Sequence, residues 1–353
     1  MATNTRVLTS PAEEAESSSA NLRDAIRDMV TIGDKLAVQR QLSNKLASFA
    51  TGDVDIIKLA QTRLRLLQSD GTRPHFRIHP QGMEVDSDTG LIYITTVEII
   101  DEPDKARRYW GKGRAHLFEC NIEGETIRSA NLMSDDEKEY HPSGMVLVDG
   151  TMFLALSQYG PETSATIIRF NVKDWTYEKL FQIEDHIGLV VPNPAKGEIF
   201  LGNWGSRHYY CTDLKGNIKS KRPTPCSDRL EHQDAQLLIA NMSVLNKIGQ
   251  ASKAYDISAD SEKTIMLATG VTAGGKDYFG LDIFDVTSWK MYASQRWPSS
   301  EYRTDGGWPP FANSTFLWVD SHDRVLALVT DERKNDDPRL VLYTLVQRGG
   351  PVR

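Results

Sequence analysis

Four histidines occupy recurring positions along the chain and are the residues best suited to chemistry. They are His79, His141, His186 and His232, and successive members are 62, 45 and 46 residues apart. The first two open similar phrases, HPQGM and HPSGM, and each phrase leads into an apolar run typical of a β-strand. A unit of about 40–50 residues with several short strands is typical of a β-propeller blade. The spacing therefore predicts a repeat protein in which these histidines take equivalent places.

Equivalent positions of a propeller converge in space, because the first strand of each blade lines the central channel. We therefore expect the four histidines to form a ring at one mouth of that channel. Imidazole is well suited to proton transfer near neutral pH, so acid–base chemistry is one interpretation. A structural role at the strand entries is a second interpretation, and a metal held by four imidazoles is a third.

The metal interpretation is the weakest of the three. The fifth unit of the chain has no matching histidine, and carboxylates that could support metal ligands are scarce apart from Glu98 and Asp234. We therefore predict no metal site and no cofactor. The predicted catalytic residues are His79, His141, His186 and Glu98.

Further polar and aromatic residues stand beside the histidines or at the ends of the second strands. Such a combination predicts a concave pocket for a large apolar ligand. The predicted substrate-binding residues are Gln81, Ser143, Tyr159, Trp204, Arg207, His232, Asp234, Tyr278 and Trp308. The cation of Arg207 could hold a phenolate, tropolonate or carboxylate. For each aromatic residue, packing between blades is the alternative.

The strand-like segments predict an all-β fold, a five-bladed β-propeller. A six-bladed ring would need one more unit within residues 21–61, where the apolar spacing is helical. The last blade shows only three strands, at 313–319, 324–330 and 339–346. A propeller usually closes by borrowing one strand from the opposite terminus, which also removes an exposed sheet edge. We predict that residues 62–68 supply this strand and pair with 339–346.

The predicted domain organisation has three parts. Residues 1–20 form a disordered tail, residues 21–61 a helical extension, and residues 62–353 the propeller domain. The helices are expected to pack on the side or the end of the propeller. A lid over the pocket and a homodimer contact are the alternatives.

Composition narrows the classes of partner and compartment. The chain of 353 residues has a net charge of −7 and a pI near 5.7, which gives no electrostatic case for binding nucleic acid. Its three cysteines show no CxxC pairing, as expected in a reducing compartment. The first residues have no apolar signal-peptide core, and no stretch approaches the roughly 20 apolar residues of a membrane span. We predict a cytoplasmic protein without a membrane span.

The phrases HPQGM…TTVEI, HPSGM…LSQYG, HIG…NWGSR and HQDAQ resemble a family of β-propeller proteins from bacteria and fungi. The resemblance covers about residues 62–346. Among the fungal members, the chain is similar to the hetero-Diels–Alderases of tropolonic sesquiterpene biosynthesis. No catalytic motif of those enzymes can be placed on this sequence residue by residue.

The resemblance implies a cofactor-independent pericyclase. Such an enzyme removes water from a hydroxymethyl tropolone or phenol and adds the resulting o-quinone methide to a humulene-type sesquiterpene. Its partners would be these apolar small molecules. Two alternatives remain: a non-catalytic ligand-binding or scaffolding propeller, and a lactonase-like hydrolase, which would need a divalent cation held by carboxylates and Asn. A deep apolar, metal-free pocket favours the pericyclase, and a bound metal favours the hydrolase or an iron-dependent propeller oxygenase.

Overall fold

The strands of the protein form a ring of five antiparallel sheets. This computed structural model describes residues 11–32, 35–49, 53–74, 78–104, 111–133, 138–224, 230–241, 262–272, 277–285, 288–332 and 338–348. Within these ranges, two α-helices precede 21 β-strands. The predicted all-β fold with five blades is confirmed. No helix in these ranges is long and apolar enough to span a membrane.

The strands of each blade follow one another from the central channel to the outside of the ring. Blade one contains β2 (Ile78–Val85), β3 (Ile92–Asp101), β4 (Lys112–Cys120) and β5 (Thr126–Leu132). Blade two contains the short inner strands β6 (Glu139–Pro142) and β7 (Val146–Val148), then β8 (Thr151–Gln158), β9 (Ala165–Asn171) and β10 (Thr176–Ile183). Blade three contains β11 (Ile187–Asn193), β12 (Glu198–Asn203), β13 (His208–Asp213) and β14 (Ile218–Pro223).

The last two blades follow the same plan. Blade four contains β15 (Glu231–Asn241), β16 (Glu262–Val271), β17 (Tyr278–Asp285) and β18 (Lys290–Pro298). Blade five contains β19 (Thr315–Val319), β20 (Val325–Asp331), β21 (Arg339–Gln347) and the N-terminal strand β1 (Val54–Arg63).

Burial changes from the middle to the outside of each blade. The middle strand β20 is buried along its whole length, because neighbouring blades cover both of its faces. The outer strand β14, with the sequence IKSKRP, is mostly exposed. Its lysines and proline discourage pairing with a further strand. The apolar residues thus fill the spaces between blades.

The ring closes through β1, which pairs antiparallel with β21 from Val54↔Gln347 to Arg63↔Arg339. The partner strand was predicted correctly, but the closing strand lies earlier than the predicted segment 62–68. Val54, Ile56 and Ala60 are buried on the sheet, at the even spacing typical of a β-strand. Residues 64–67 instead lead from blade five to the outer strand of blade one, where the N–H of Arg65 donates to the carbonyl of Gly124 at 2.8 Å.

The two helices pack against the propeller. Helix α1 (Pro11–Ile32) begins earlier than predicted, because the Glu- and Ala-containing residues 11–20 continue it instead of forming a disordered tail. Leu22, Ile26 and Met29 form its buried face. Helix α2 (Lys35–Phe49) buries an apolar face against the inner strands β15 and β19.

Helix α2 covers the end of the channel opposite to the recurring histidines. Val38 and Leu42 face the ends of the inner strands near Val85 and Leu147, whereas His79 lies at the other end of β2. The position of this helix does not support the alternative of a lid over the histidines.

Candidate functional site

All five blades contribute to a cavity of about 360 Å³ at the histidine end of the channel. Ligand sites in proteins typically measure about 300–1,000 Å³. Eight of the thirteen predicted site residues line it: His79, Gln81, His141, Tyr159, His186, Trp204, His232 and Trp308. The structure thus brings these residues together, and their roles stay predictions.

Close contacts between blades form the floor of the cavity. A Cβ atom at Gly144 would lie 2.7 Å from the carbonyl oxygen of Gln233, and one at Gly82 would lie 2.9 Å from that of Ser143. The N–H of Gly144 donates to the carbonyl of Gly188 at 3.0 Å. Any larger side chain would push these backbones apart. The glycines of HPQGM and HPSGM therefore allow the inner strands to meet below the cavity.

Asp234 ties three blades together at this level and does not line the cavity. Its Oδ2 atom accepts hydrogen bonds from the N–H of Met83 in blade one at 2.8 Å and from that of Thr315 in blade five at 3.2 Å. Its Oδ1 atom accepts from the N–H of Ala235 at 3.0 Å. Burial raises the pKa of Asp234 well above its ordinary value, although the N–H donors oppose this shift. The predicted substrate-binding role is not supported, because every contact is structural.

Ser143 is likewise buried outside the cavity lining. Its hydroxyl donates to the carbonyl of Gly144 at 2.6 Å and accepts from the N–H of Ala155 at 2.9 Å. The side chain thus satisfies backbone groups at a strand entry, which is the structural role considered for the repeated phrase.

His79 is paired with a carboxylate, Glu332, that was not among the predicted site residues. Nδ1 of His79 contacts Oε2 of Glu332, which is buried and follows β20 in blade five. The His79 side chain is 30% exposed and lines the cavity. Because Nδ1 is turned toward Glu332, Nε2 remains for a ligand. A carboxylate in this place orients the ring and stabilises its positive charge when it is protonated.

His141 and His186 form a second pair, with ring centroids 5.4 Å apart. Nδ1 of His186 donates to the carbonyl of Gln158 at 2.8 Å, which leaves Nε2 with a free lone pair. Burial lowers the pKa of His186 to about 4. Burial, together with the nearby His186 and His79, also holds the pKa of His141 well below its ordinary value. Both rings are therefore uncharged at neutral pH.

Aromatic rings form one wall of the cavity. The Trp204 ring meets Tyr159 edge to face at 5.2 Å and His186 at 4.6 Å. Tyr159 in turn lies 5.4 Å from His141. Trp204 opens a short 3₁₀ turn after β12, and it lines the cavity. Trp308 is 42% exposed at the rim, as expected for a residue that meets an entering ligand.

His232 borders the cavity, but its imidazole has no exposed surface. Nδ1 contacts the hydroxyl of Tyr209, and Nε2 donates to Asp282 at 2.9 Å. Burial would raise the pKa of Asp282, but His232 and Arg296 together hold it below its ordinary value. The predicted ring of four histidines is therefore incomplete, because His232 is committed to this buried network.

Glu98 is the predicted catalytic residue that the structure places elsewhere. Val97 and Ile99 line the cavity, so the strand alternation turns Glu98 to the opposite face. It is fully buried there, with Oε2 at 2.9 Å from Nε2 of His116. His116 also contacts Asn131, at 2.7 Å. The predicted catalytic role of Glu98 is thus not supported.

Two predicted rim residues also lie outside the cavity lining. The Nε of Arg207 donates to the carbonyl of Trp204 at 3.2 Å, beyond the 3₁₀ turn. Tyr278 opens a third strand, which lies farther from the channel, and is 47% exposed. Neither side chain is placed to hold a ligand in the cavity.

Five polar lining residues were not predicted. They are Glu332, Glu102, Asn203, Glu231 and Gln233. Glu332 follows the second strand of blade five, so the rule that selected Tyr159 and Trp204 would have found it. Gln233 is the extra residue of a β-bulge in β15, since His232 and Asp234 pair with consecutive residues of β16. The sequence carries no signal for that bulge.

The charged lining residues are all acidic. Among the described residues of the lining, Glu102, Glu231 and Glu332 carry charge, and none is lysine or arginine. Burial and the charge of Glu102 raise the pKa of Tyr159, so this residue remains a phenol. The cavity therefore suits a neutral or positively charged ligand better than an anion.

No group of three or more His, Cys, Asp or Glu side chains among the described residues is arranged to hold a metal ion. The four-imidazole interpretation lacks a ligand, because the His232 nitrogens face Tyr209 and Asp282.

The chain is similar in structure to several solved proteins. One is the major allergen Mala s 1 of Malassezia sympodialis, with 10% identity over 83% of this chain and 85% of that chain, and a TM-score of 0.45. Another is the GH43_1 enzyme from Xanthomonas citri, with 9% identity, coverage of 89% and 94%, and a TM-score of 0.43. A third is the mannose phosphorylase MPT-4 from Leishmania mexicana, with 13% identity, coverage of 85% and 92%, and a TM-score of 0.43. Similarity at this level says nothing about function.

Sequence comparison gives a firmer assignment. No curated protein shows significant similarity to this chain. Residues 49–284, more than half of the chain, match the model of a family of unknown function, DUF6454. The protein therefore belongs to the DUF6454 family.

Proposed function

We propose that the cavity removes water from a hydroxymethyl tropolone or phenol and directs the hetero-Diels–Alder addition of the resulting o-quinone methide to a humulene-type sesquiterpene. The observation that carries this proposal is the presence of two kinds of imidazole in one cavity. His79 is backed by Glu332, whereas His141 and His186 are uncharged at neutral pH. Dehydration needs both an acid and a base, and this arrangement offers both.

The dehydration transfers two protons and breaks one C–O bond. The ring hydroxyl of the substrate gives its proton to the neutral His141 or His186. Protonated His79 gives a proton from Nε2 to the hydroxymethyl oxygen, the C–O bond breaks, and water leaves with the bonding electron pair. The ring oxygen becomes a carbonyl and the former CH₂OH carbon becomes an exocyclic methylene. Exchange of one proton with solvent at each ring restores the starting state.

The addition step needs orientation more than covalent help. Holding two reactants in a near-attack pose contributes about 7–11 kcal/mol to lowering a barrier. Trp204, Tyr159 and Trp308 offer flat apolar surfaces for an aromatic diene and a hydrocarbon alkene. A neutral quinone methide also agrees with the absence of lysine and arginine among the described lining residues.

The sequence resemblance to propeller hetero-Diels–Alderases supports the same reaction. The hydrolase alternative receives no support from the described residues, since no carboxylate set for a divalent cation is found among them. A binding propeller without chemistry would use the same cavity, so the experiment must separate binding from turnover.

The test supplies purified protein with a hydroxymethyl tropolone and humulene, without added cofactor, and resolves the products by chiral chromatography and mass spectrometry. We expect the dihydropyran adduct in one stereochemical series. A pre-formed quinone methide bypasses the acid step, so His79→Ala should lose the first reaction and keep most of the second. Trp204→Ala should lose stereoselectivity in both. Equal product ratios with and without protein would refute the proposal.

A further inference from the structure

Gln81 is the extra residue of a β-bulge in the inner strand of blade one. Pro80 and Gly82 pair with Thr96 and Thr95, which are consecutive residues of β3, so Gln81 has no partner in the register. A bulge turns a side chain away from its regular direction, and bulges occur often beside functional sites. Gln81 lines the cavity and is only 8% exposed.

The amide of Gln81 has an unused donor. Its Nε2 atom is buried without a hydrogen-bond partner among the described residues. Leaving a buried polar group unpaired costs about 1–3 kcal/mol, and each such group in a native protein calls for an explanation such as a catalytic role or a bound water or ion. The amide nitrogen therefore marks a place for an acceptor atom within the cavity.

A second unpaired nitrogen lies on the neighbouring blade. Nδ1 of His141 is also buried without a hydrogen-bond partner in the described part of the chain. The two residues stand beside the contact between blades one and two, where a Cβ atom at Gly82 would lie 3.1 Å from the Cα atom of Gly144. Both residues line the cavity beside the place where the inner strands of the two blades meet.

We propose that Gln81 and His141 form an oxygen-binding subsite on the cavity floor that holds one hydroxyl of the ligand. Gln81 donates a hydrogen bond to this oxygen, and the uncharged imidazole of His141 accepts its proton. This assignment rests on the proposed function, in which the bound oxygen is the ring hydroxyl that becomes the carbonyl of the quinone methide. An amide cannot take up the proton, so Gln81 stabilises the developing carbonyl while His141 receives the proton.

The test compares two small probes that differ by one hydroxyl: ortho-hydroxybenzyl alcohol and benzyl alcohol. Their dissociation constants are measured by NMR titration against the wild type, Gln81→Met and Gln295→Met. Methionine keeps the length of the side chain and removes the amide. The control variant Gln295→Met makes the same change on the outer strand of blade four. Thermal unfolding of each variant is measured alongside.

We expect the wild type and Gln295→Met to bind the hydroxylated probe more tightly than benzyl alcohol. In Gln81→Met the ratio of the two dissociation constants should be about tenfold smaller, which corresponds to the loss of one hydrogen bond. An unchanged preference in folded Gln81→Met would overturn the subsite. If Gln81→Met does not fold, Gln81→Asn, which withdraws the amide from the floor, must show the loss instead. Loss of preference without any turnover by the wild type would retain the subsite and refute the proposed reaction. Turnover by the wild type with an unchanged preference in Gln81→Met would refute the subsite and retain the proposed reaction.

Discussion

Nδ1 of His79 in blade one contacts the carboxylate of Glu332 in blade five. This contact joins the first blade to the last one. The N-terminal strand β1 completes the last blade by pairing with β21, so the contact lies where the ring closes. Closure of the ring therefore also brings together this polar pair of the cavity. The contact with Glu332 orients the His79 ring.

Replacing Glu332 with Gln should slow the dehydration by about 10²-fold or more, because the amide removes the charge that stabilises protonated His79. The rate of adduct formation from the hydroxymethyl substrate measures the effect. The addition of a pre-formed quinone methide should change little. Glu178→Gln, on the outer strand of blade two, is the matched control and should behave as wild type. An unchanged dehydration rate in Glu332→Gln would remove this pair from the mechanism.

His186 should make stability depend on pH. Burial lowers its pKa to about 4 in the folded protein, whereas an imidazole in the unfolded chain titrates near about 6.5. The unfolded state therefore binds more protons as the pH falls below about 6.5, and the folded protein loses up to about 3 kcal/mol by about pH 4. Urea unfolding at pH 7 and pH 5 measures this loss.

The matched variant for this measurement is His186→Asn, whose amide can still donate to the Gln158 carbonyl but does not titrate. Its free energy of unfolding should fall less than that of the wild type between pH 7 and pH 5. Identical pH dependence in the two proteins would show that His186 is not buried as an uncharged ring.

Removing the Asp234 carboxylate should destabilise the ring. Asp234→Ala leaves the N–H groups of Met83, Thr315 and Ala235 without their acceptor, at about 1–3 kcal/mol for each group that stays buried and unpaired. Chemical denaturation measures the loss, which should reach several kcal/mol on this basis. Asp88→Ala, at an exposed turn, should stay within about 0.5 kcal/mol of wild type. Equal stability of the two variants would contradict the bridging role.

The glycines of the repeated phrases should differ in their tolerance of a methyl group. Gly144→Ala should cost about 1–3 kcal/mol or more, because the new Cβ atom would lie 2.7 Å from the Gln233 carbonyl oxygen, which is part of the opposing backbone. Gly188→Ala should be close to neutral, because no atom lies within 4 Å of its Cβ position. Thermal unfolding of both variants tests the close packing of the floor. A neutral Gly144→Ala would show that the strands are farther apart.

Much of the fold could be predicted because its signals are local. The spacing of the histidine phrases and the period of two along each strand determine the blade count, the β-strands and the convergence of His79, His141 and His186. The helical spacing at Leu22, Ile26 and Met29 likewise determines α1. The strand and helix patterns depend only on residues near each other in the chain, and the repeated phrases can be counted from the sequence without knowing which residues touch.

The tertiary structure decided what each side chain faces. Glu98 turns from the cavity because Val97 and Ile99 take the inner face, and His232 is withdrawn because Tyr209 and Asp282 bind its two nitrogens. These outcomes depend on residues up to 50 positions apart in sequence.

The bulge at Gln81 and the pairing of His79 with Glu332 have the same origin. A bulge forms where the register of two strands changes by one residue, and the Glu332 carboxylate reaches His79 only after the ring has closed. The sequence by itself therefore determined a five-bladed ring with converging histidines. The packing of the blades decided which nitrogens and carboxylates meet a ligand, because burial and hydrogen-bond partners arise only when distant strands come together.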